Sequence, residues 1–151
     1  MNDQAKEQLA HEAIEKLQKL TELFQHRRAQ LAKTEGLTEQ QWRVLEEVST
    51  EHFIPSMFAR NRDSSPAAVS KIIRQLGEKR LISVAISPVD GRQRRYVLTA
   101  KGKRIMREIR NRRLRAIDAI WMGLDLKELQ QFNRFGSRLI ASIESFRQKE
   151  R

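Results

Sequence analysis

Between Ile54 and Thr99 the hydrophobic period changes from helical to alternating, and it does so just after a capping signal that leaves few folds open. Ser65 can accept a hydrogen bond from the unpaired amides of a first helical turn, and Pro66 at the first helical position needs no donor. Pro66 also biases Ser65 towards the extended backbone that a cap requires. From there Val69, Ile72, Ile73 and Leu76 fall at helical spacing, giving one face to bury and leaving Ala67, Ser70, Lys71 and Arg74 on the other. After Leu81, Ile82, Val84 and Ile86 alternate with Ser83, Ala85 and Ser87, so a strand follows the helix. Ser87-Pro88-Val89-Asp90-Gly91 is turn chemistry, and Arg92, Gln93, Arg94 and Arg95 lead into the β-prone return strand Tyr96-Val97-Leu98.

Upstream, Pro55 opens a short helix that should carry Met57 and Phe58 into a core. Helix, turn, capped helix and basic-tipped hairpin together make a helix-turn-helix with a wing. The exposed face of the second helix is small at its start and basic further along, which suits close approach to a major groove. Ser65, Pro66, Ala67, Ser70, Lys71 and Arg74 are therefore candidate DNA-binding residues. The wing arginines suit a minor groove, whose negative potential is strongest where it narrows. Arg60 and Arg62 flank the turn, where phosphate contact and a solvated turn remain equally open.

These residues carry a resemblance. Leu37-Thr38 with Gln41, Val44 and Leu45, then Ser65-Pro66-Ala67-Ala68-Val69-Ser70, Leu81-Ile82, Asp90-Gly91-Arg92 and Leu98-Thr99 with Gly102, resemble the MarR family of bacterial winged-helix regulators. The match covers residues 37 to 104 by motif, and the spacing from Asp90 to Leu98-Thr99 fits the family's wing without a gap. Two positions depart from it. Gly77 stands where the family often has an acidic residue, and Arg80 stands where a glycine often closes the helix. What the resemblance implies is a homodimer on a pseudo-palindromic operator, and Arg92 as the foremost wing residue with Asp90 as its orienting partner. Arg94 and Arg95 are expected to meet phosphate.

The distribution of charge agrees. Net charge is +11, yet residues 54 to 104 hold twelve Lys/Arg against three Asp/Glu, while residues 1 to 53 hold seven against ten. A local basic excess that coincides with the motif is the footprint of a polyanion partner. The chain has no cysteine, which excludes disulfides, zinc-thiolate sites and the thiol-based peroxide sensing found in part of the resembled family. No apolar run approaches the ~18 residues of a membrane span, and the N-terminus is unlike a signal peptide. The expected location is cytoplasmic, with the nucleoid.

With 151 residues the chain can hold one domain with a core. Residues 3 to 33 read as a long helix striped by Leu9, Ala13, Ile14, Leu17, Leu20, Phe24 and Leu31. A second striped helix, capped at Asp125, carries Leu126, Leu129, Phe132, Leu139, Ile140, Ile143 and Phe146. Such stripes at opposite ends of a chain point to an intertwined dimer interface, the alternative being that both pack on their own wing domain. Between wing and last helix, a third long helix carries Ile105, Ile109, Leu114, Ile117 and Trp121 on one side and Arg107, Arg110, Arg112, Arg113 and Arg115 elsewhere. Those arginines could meet phosphate, stand solvated, or pair with Glu12 or Glu15. Thr38 and Gln41 form a possible capping box ahead of Trp42, Leu45 and Val48, which face inward. The expected organisation is an N-terminal dimerisation helix (1–36), a winged helix-turn-helix (37–100), and a linker with a C-terminal dimerisation helix (101–151).

Enzymatic chemistry has nothing to stand on. His11, His26 and His52 are not spaced as metal ligands, and there is no glycine-rich phosphate loop or nucleophile elbow. No catalytic residue, metal or cofactor is expected. In the resembled family a small anionic aromatic compound often binds between dimer helices and winged domain; here His26, Trp42, Arg43 and Phe53 are the candidate effector-binding residues, although Trp42 reads first as a core anchor. The functional expectation is a homodimeric, sequence-specific double-stranded DNA-binding transcriptional regulator, a repressor released by such an effector. A sequence-independent architectural or RNA-binding winged helix is the alternative.

Overall fold

The computed structural model describes residues 2–86, 89, 91 and 94–151. Its elements run α1 (Asn2–Thr34), α2 (Glu39–Ser49), α3 (Pro55–Asn61), α4 (Pro66–Glu78), β1 (Ile82–Ile86), β2 (Arg94–Leu98), α5 (Ala100–Ile120) and α6 (Leu126–Lys149). They form two compact units, Met1–Arg110 and Asn111–Arg151. The mainly α fold with a two-stranded antiparallel hairpin is the expected one.

The core lies in the first unit, where Trp42, Val44, Leu45 and Val48 of α2 meet Leu76 of α4, Leu81, Ile82 and the first turns of α5 through Ile105 and Ile109. Only the last turns of α1 join it, through Leu31 and Ala32. The capping box forms as expected: the Gln41 amide donates to Thr38 Oγ1 and the Thr38 amide to Gln41 Oε1, both at 3.1 Å. Gln41 is itself buried, and it spends its remaining groups on α4, donating to Gln75 Oε1 at 3.1 Å and accepting from Lys79 Nζ at 3.0 Å. A buried amide left unpaired would cost about 1–3 kcal/mol, so this network also fixes how α2 meets α4.

The exits of α1 to α4 share one device. Gly36, Glu51, Asp63 and Arg80 all have positive φ (70°, 64°, 49° and 57°), and each follows a helix whose last carbonyls accept two backbone hydrogen bonds from the turn. At α4 the Leu81 amide reaches Leu76 O and the Arg80 amide reaches Gly77 O, a Schellman closure with Leu76 and Leu81 buried beside it. Arg80 therefore takes the left-handed turn that a glycine would take more cheaply, and the helix-to-strand geometry is kept.

Gly102 explains the Leu98-Thr99…Gly102 signature. Thr99 bridges wing and helix: its amide donates to Leu81 O at 3.0 Å, its hydroxyl donates to Arg80 O at 2.7 Å, and its Oγ1 accepts from the Gly102 amide at 3.0 Å. This draws α5 so close that a Cβ on Gly102 would run into the Leu81 carbonyl. No side chain larger than hydrogen fits there without moving backbone.

Two expectations need correction. Met57 is 51% exposed, and the buried residue of α3 is Ala59, with Phe58 packed partly against the core. The apolar alternation of β1 is not a burial pattern beyond its root: Ile82 is buried, but Val84 and Ile86 stand exposed, Ile86 at 72%. Strand β1 leaves the core after Ile82, while on β2 Tyr96 and Leu98 stay half-buried against it, so Val84 and Ile86 stand exposed although Tyr96 opposite Val84 is packed.

In the second unit α6 is capped by Asp125, whose Oδ1 accepts from the Lys127 amide at 2.6 Å, and it has no buried residue. Leu126, Phe132, Ile140, Ile143 and Phe146 are all exposed. In the first unit α1 shows the same state over its length, from Leu9 at 64% through Ile14, Leu23 and Phe24.

Candidate nucleic-acid interface

The candidate surface is built from α4 outward. Ser65 Oγ accepts from the Ala68 amide at 3.1 Å, with Pro66 in the first turn. Val69 and Leu76 are buried and Ile72 and Ile73 half-buried, so rotation of the helix is fixed by the core. Ser65, Pro66, Ala67, Ser70, Lys71 and Arg74 are all exposed on the opposite side. Arg74 has Glu78 at 4.0 Å, a contact between two largely exposed side chains that holds neither in place.

The hairpin stands beside that helix. Its register pairs Val84 with Tyr96 and Ile86 with Arg94, placing these on one face with Ile82 and Leu98. Across from this face lies α4, and a cavity of about 410 Å³ opens between them, lined by Ser70, Ile73, Arg74 and Gly77 on the helix side and by Ile82, Ser83, Val84, Arg94 and Tyr96 on the hairpin side. Helix and wing thus present Arg74 and Arg94 to a common groove. The sequence singled out both arginines separately; only the strand register shows that they share it.

Arg95 points to the other face and meets Glu51 at 3.5 Å, while Arg62 meets Glu47 at 3.8 Å and lies over the Phe58 ring at 5.7 Å. Arg62 is thus held at the turn by its neighbours, and Arg60 is exposed. No local sequence signal pairs Glu47 or Glu51 with residues this far along the chain. Asp90 and Arg92, the leading wing residues, lie outside the described residues.

The four candidate effector-binding residues stand in different surroundings. Trp42 is 1% exposed, and the Arg28 guanidinium covers its ring at 3.8 Å. Arg28 also reaches Glu46 at 2.6 Å and Glu39 at 3.4 Å, and Arg43 meets the same Glu39 at 2.6 Å. Arg43 is thereby part of a half-buried charge network joining α1 to α2. His26 is exposed on α1. Phe53 stacks edge-on with Phe58 and Tyr96 at 5.8 and 5.9 Å and lines a cavity of about 150 Å³ with His52, Ile54, Met57 and Arg62, which is smaller than the sites that usually hold drug-sized ligands. Among the described residues no group of three or more His, Asp or Glu could hold a metal ion, and no helix is long and apolar enough to cross a membrane.

No family model matches the chain, and no curated protein matches it. Solved structures do. The MarR family transcription regulator SP03579 superposes with a TM-score of 0.82 at 19% identity, covering 93% of this chain and 94% of that one. The YusO protein from Bacillus subtilis gives 0.69 at 23% identity, covering 89% and 96%. MepR of S. aureus in its complex with DNA gives 0.68 at 15% identity, covering 84% and 93%. The fold is shared nearly end to end, at identities that speak for the fold alone.

Proposed function

We propose that this chain is a MarR-family transcription regulator that binds double-stranded DNA as a homodimer and reads a pseudo-palindromic operator. The observation that carries the reading is the pose of α4: its core face is locked while Ser65, Pro66, Ala67, Ser70, Lys71 and Arg74 are all presented outward beside a basic hairpin. The DNA-bound state of the similarly folded MepR supports it.

In this reading α4 enters a major groove and the hairpin straddles to the adjacent minor groove, led by Arg92 with Asp90. Between the two runs one sugar-phosphate strand, and the groove presenting Arg74 and Arg94 fits its charge. Two-fold symmetry then sets the paired recognition helices about one helical turn, ~34 Å, apart. The bare apolar stripes of α1 and α6 are the surfaces a second copy would cover. Repression follows if the operator overlaps a promoter. A small anionic aromatic effector would release the protein only to the extent that it prefers a separation of the recognition helices that does not fit DNA. Because Trp42 is covered, such a ligand engages His26, Trp42, Arg43 and Phe53 together only after the Arg28 network opens.

The test is a binding titration against duplex from the protein's own upstream intergenic region and a random control, across a salt series. A preference of ~10³ or more for the native region is the expected result. Equal, steeply salt-dependent binding to both would replace the regulator with an architectural protein that grips phosphate without reading sequence; tighter binding to RNA would point to the RNA-binding form.

A further inference from the structure

The first turns of α5 carry a basic stripe that the helix-turn-helix and wing do not use. Eight of the 21 residues of α5 are Lys or Arg against two acids. Gly102, Ile105 and Ile109 are buried in the winged unit, so the opposite side faces solvent, and there the adjacent Lys103 and Arg104 stand one turn before Arg107, which stands one turn before Arg110, all four exposed. Among the described residues none of these four side chains has an ion-pair or hydrogen-bond partner. Five other arginines of the unit, Arg28, Arg43, Arg62, Arg74 and Arg95, each have a glutamate within 4.0 Å, whereas Arg60 at the turn and Arg94 on the hairpin, like the stripe, have none among the described residues.

Like charges three and four residues apart on a helix, as in Lys103/Arg107, Arg104/Arg107 and Arg107/Arg110, repel one another. An uncompensated stripe is thus a standing cost in the free protein, and a polyanion removes it. We propose that Lys103, Arg104, Arg107 and Arg110 form a second DNA-backbone surface that grips duplex flanking the operator, outside the segment read by α4 and the wing. This rests on the duplex-binding reading above. The stripe is continuous with that interface, because α5 starts directly after β2 and Thr99 ties its first turn to Leu81 and Arg80 at the root of the wing. It spans about 10 Å of helix axis, a length over which a duplex offers on the order of six phosphate charges. The competing partner is the acidic face of α1 in a second copy, with Asp3, Glu7, Glu12, Glu15 and Glu22, and the sedimentation arm below separates it from duplex.

The experiment compares the full-length protein with a Lys103→Gln/Arg104→Gln/Arg107→Gln/Arg110→Gln variant on duplexes of about 18 and 38 base pairs sharing one centre, by fluorescence anisotropy over a salt series. Any gain from extra binding registers on the longer duplex is common to both proteins and cancels. The wild type should favour the long duplex by at least tenfold more than the variant does, and its salt slope on that duplex should be steeper by about 0.9 for each phosphate contact. On the short duplex the two proteins should agree within about twofold. A variant that exchanges Lys and Arg among the four positions should retain the gain, and the Gln variant should unfold at a higher temperature than wild type in low salt. The proposal is overturned if the Gln variant keeps the full long-duplex advantage, or if it loses both duplexes equally and sediments as single chains, which would make the stripe a protein interface. A wild type that shows the stripe-dependent gain yet does not separate native from random sequence would sink the regulator reading and leave the stripe standing.

Discussion

Helices α4 and α1 are both amphipathic, yet they stand at opposite ends of completeness. α4 spends 13 residues and has Val69 and Leu76 fully enclosed, a capped start and a Schellman exit. α1 spends 33 residues and buries only Leu31 and Ala32 at its very end, with Leu9, Ile14 and Leu23 half or more exposed. Burying a side chain of that size contributes about 1.5–3 kcal/mol. The winged unit is thus finished within one chain, whereas α1, like α6, carries a stabilising contribution that only another surface can realise. Apolar residues in both regions obey the same helical period; whether the period is satisfied depends on what stands opposite.

The sharpest way to break the finished region is Gly102→Ala. Its Cβ meets backbone, not a side chain that can swing aside, so α5 must back away from Leu81. We expect a loss of about 3 kcal/mol in urea unfolding, with operator affinity falling as the wing root shifts; a loss under 0.5 kcal/mol would mean that the contact relaxes freely. For the unfinished region, Leu17→Asp should leave the unfolding of the winged unit unchanged while weakening self-association by about 2 kcal/mol or more for each copy of the side chain that loses its cover. Sedimentation at half the mass of the wild-type species is the expected readout, and an unchanged mass would return α1 to its own chain.

Smaller effects sharpen the contrast inside the recognition head. Arg74→Ala and Arg92→Ala should each weaken operator binding by roughly 1–3 kcal/mol if the side chain reads a base edge or inserts in a groove; a phosphate contact would instead lower the salt slope by about one and weaken all sequences alike. Unchanged affinity for either variant across the salt series would remove that residue from the interface. Least of all, Arg80→Gly should stabilise by up to about 1 kcal/mol, because glycine adopts φ near 57° without the penalty a Cβ brings, and the gain is partly offset by a freer unfolded chain. Destabilisation would mean that the Arg80 side chain makes a contribution beyond its backbone turn.

Much of the head could be read from residues in a row, because caps and helical faces are local. Ser65-Pro66, the Thr38–Gln41 box, the Asp125 cap and the inward set Trp42, Leu45 and Val48 all fall where their patterns place them. What was not legible involves distant parts of the chain. Nothing near Glu51 announces Arg95, 44 positions on, and nothing near Trp42 announces that Arg28 will cover it. A left-handed Glu51 or Asp63 leaves no compositional mark, since turn strain is carried by the closure around it, and Arg80 is marked only by the resemblance.

By itself the sequence determined the order of elements, the outward set on α4 and the basic bias of the head, since period, capping and charge act over one or two turns. Tertiary structure alone decided that Met57 stays outside while Ala59 goes in, that β1 leaves the core after Ile82, and that Arg74 and Arg94 border one groove. Those outcomes depend on which surface comes to lie opposite, and a hydrophobic period states that a face must be covered without stating by what.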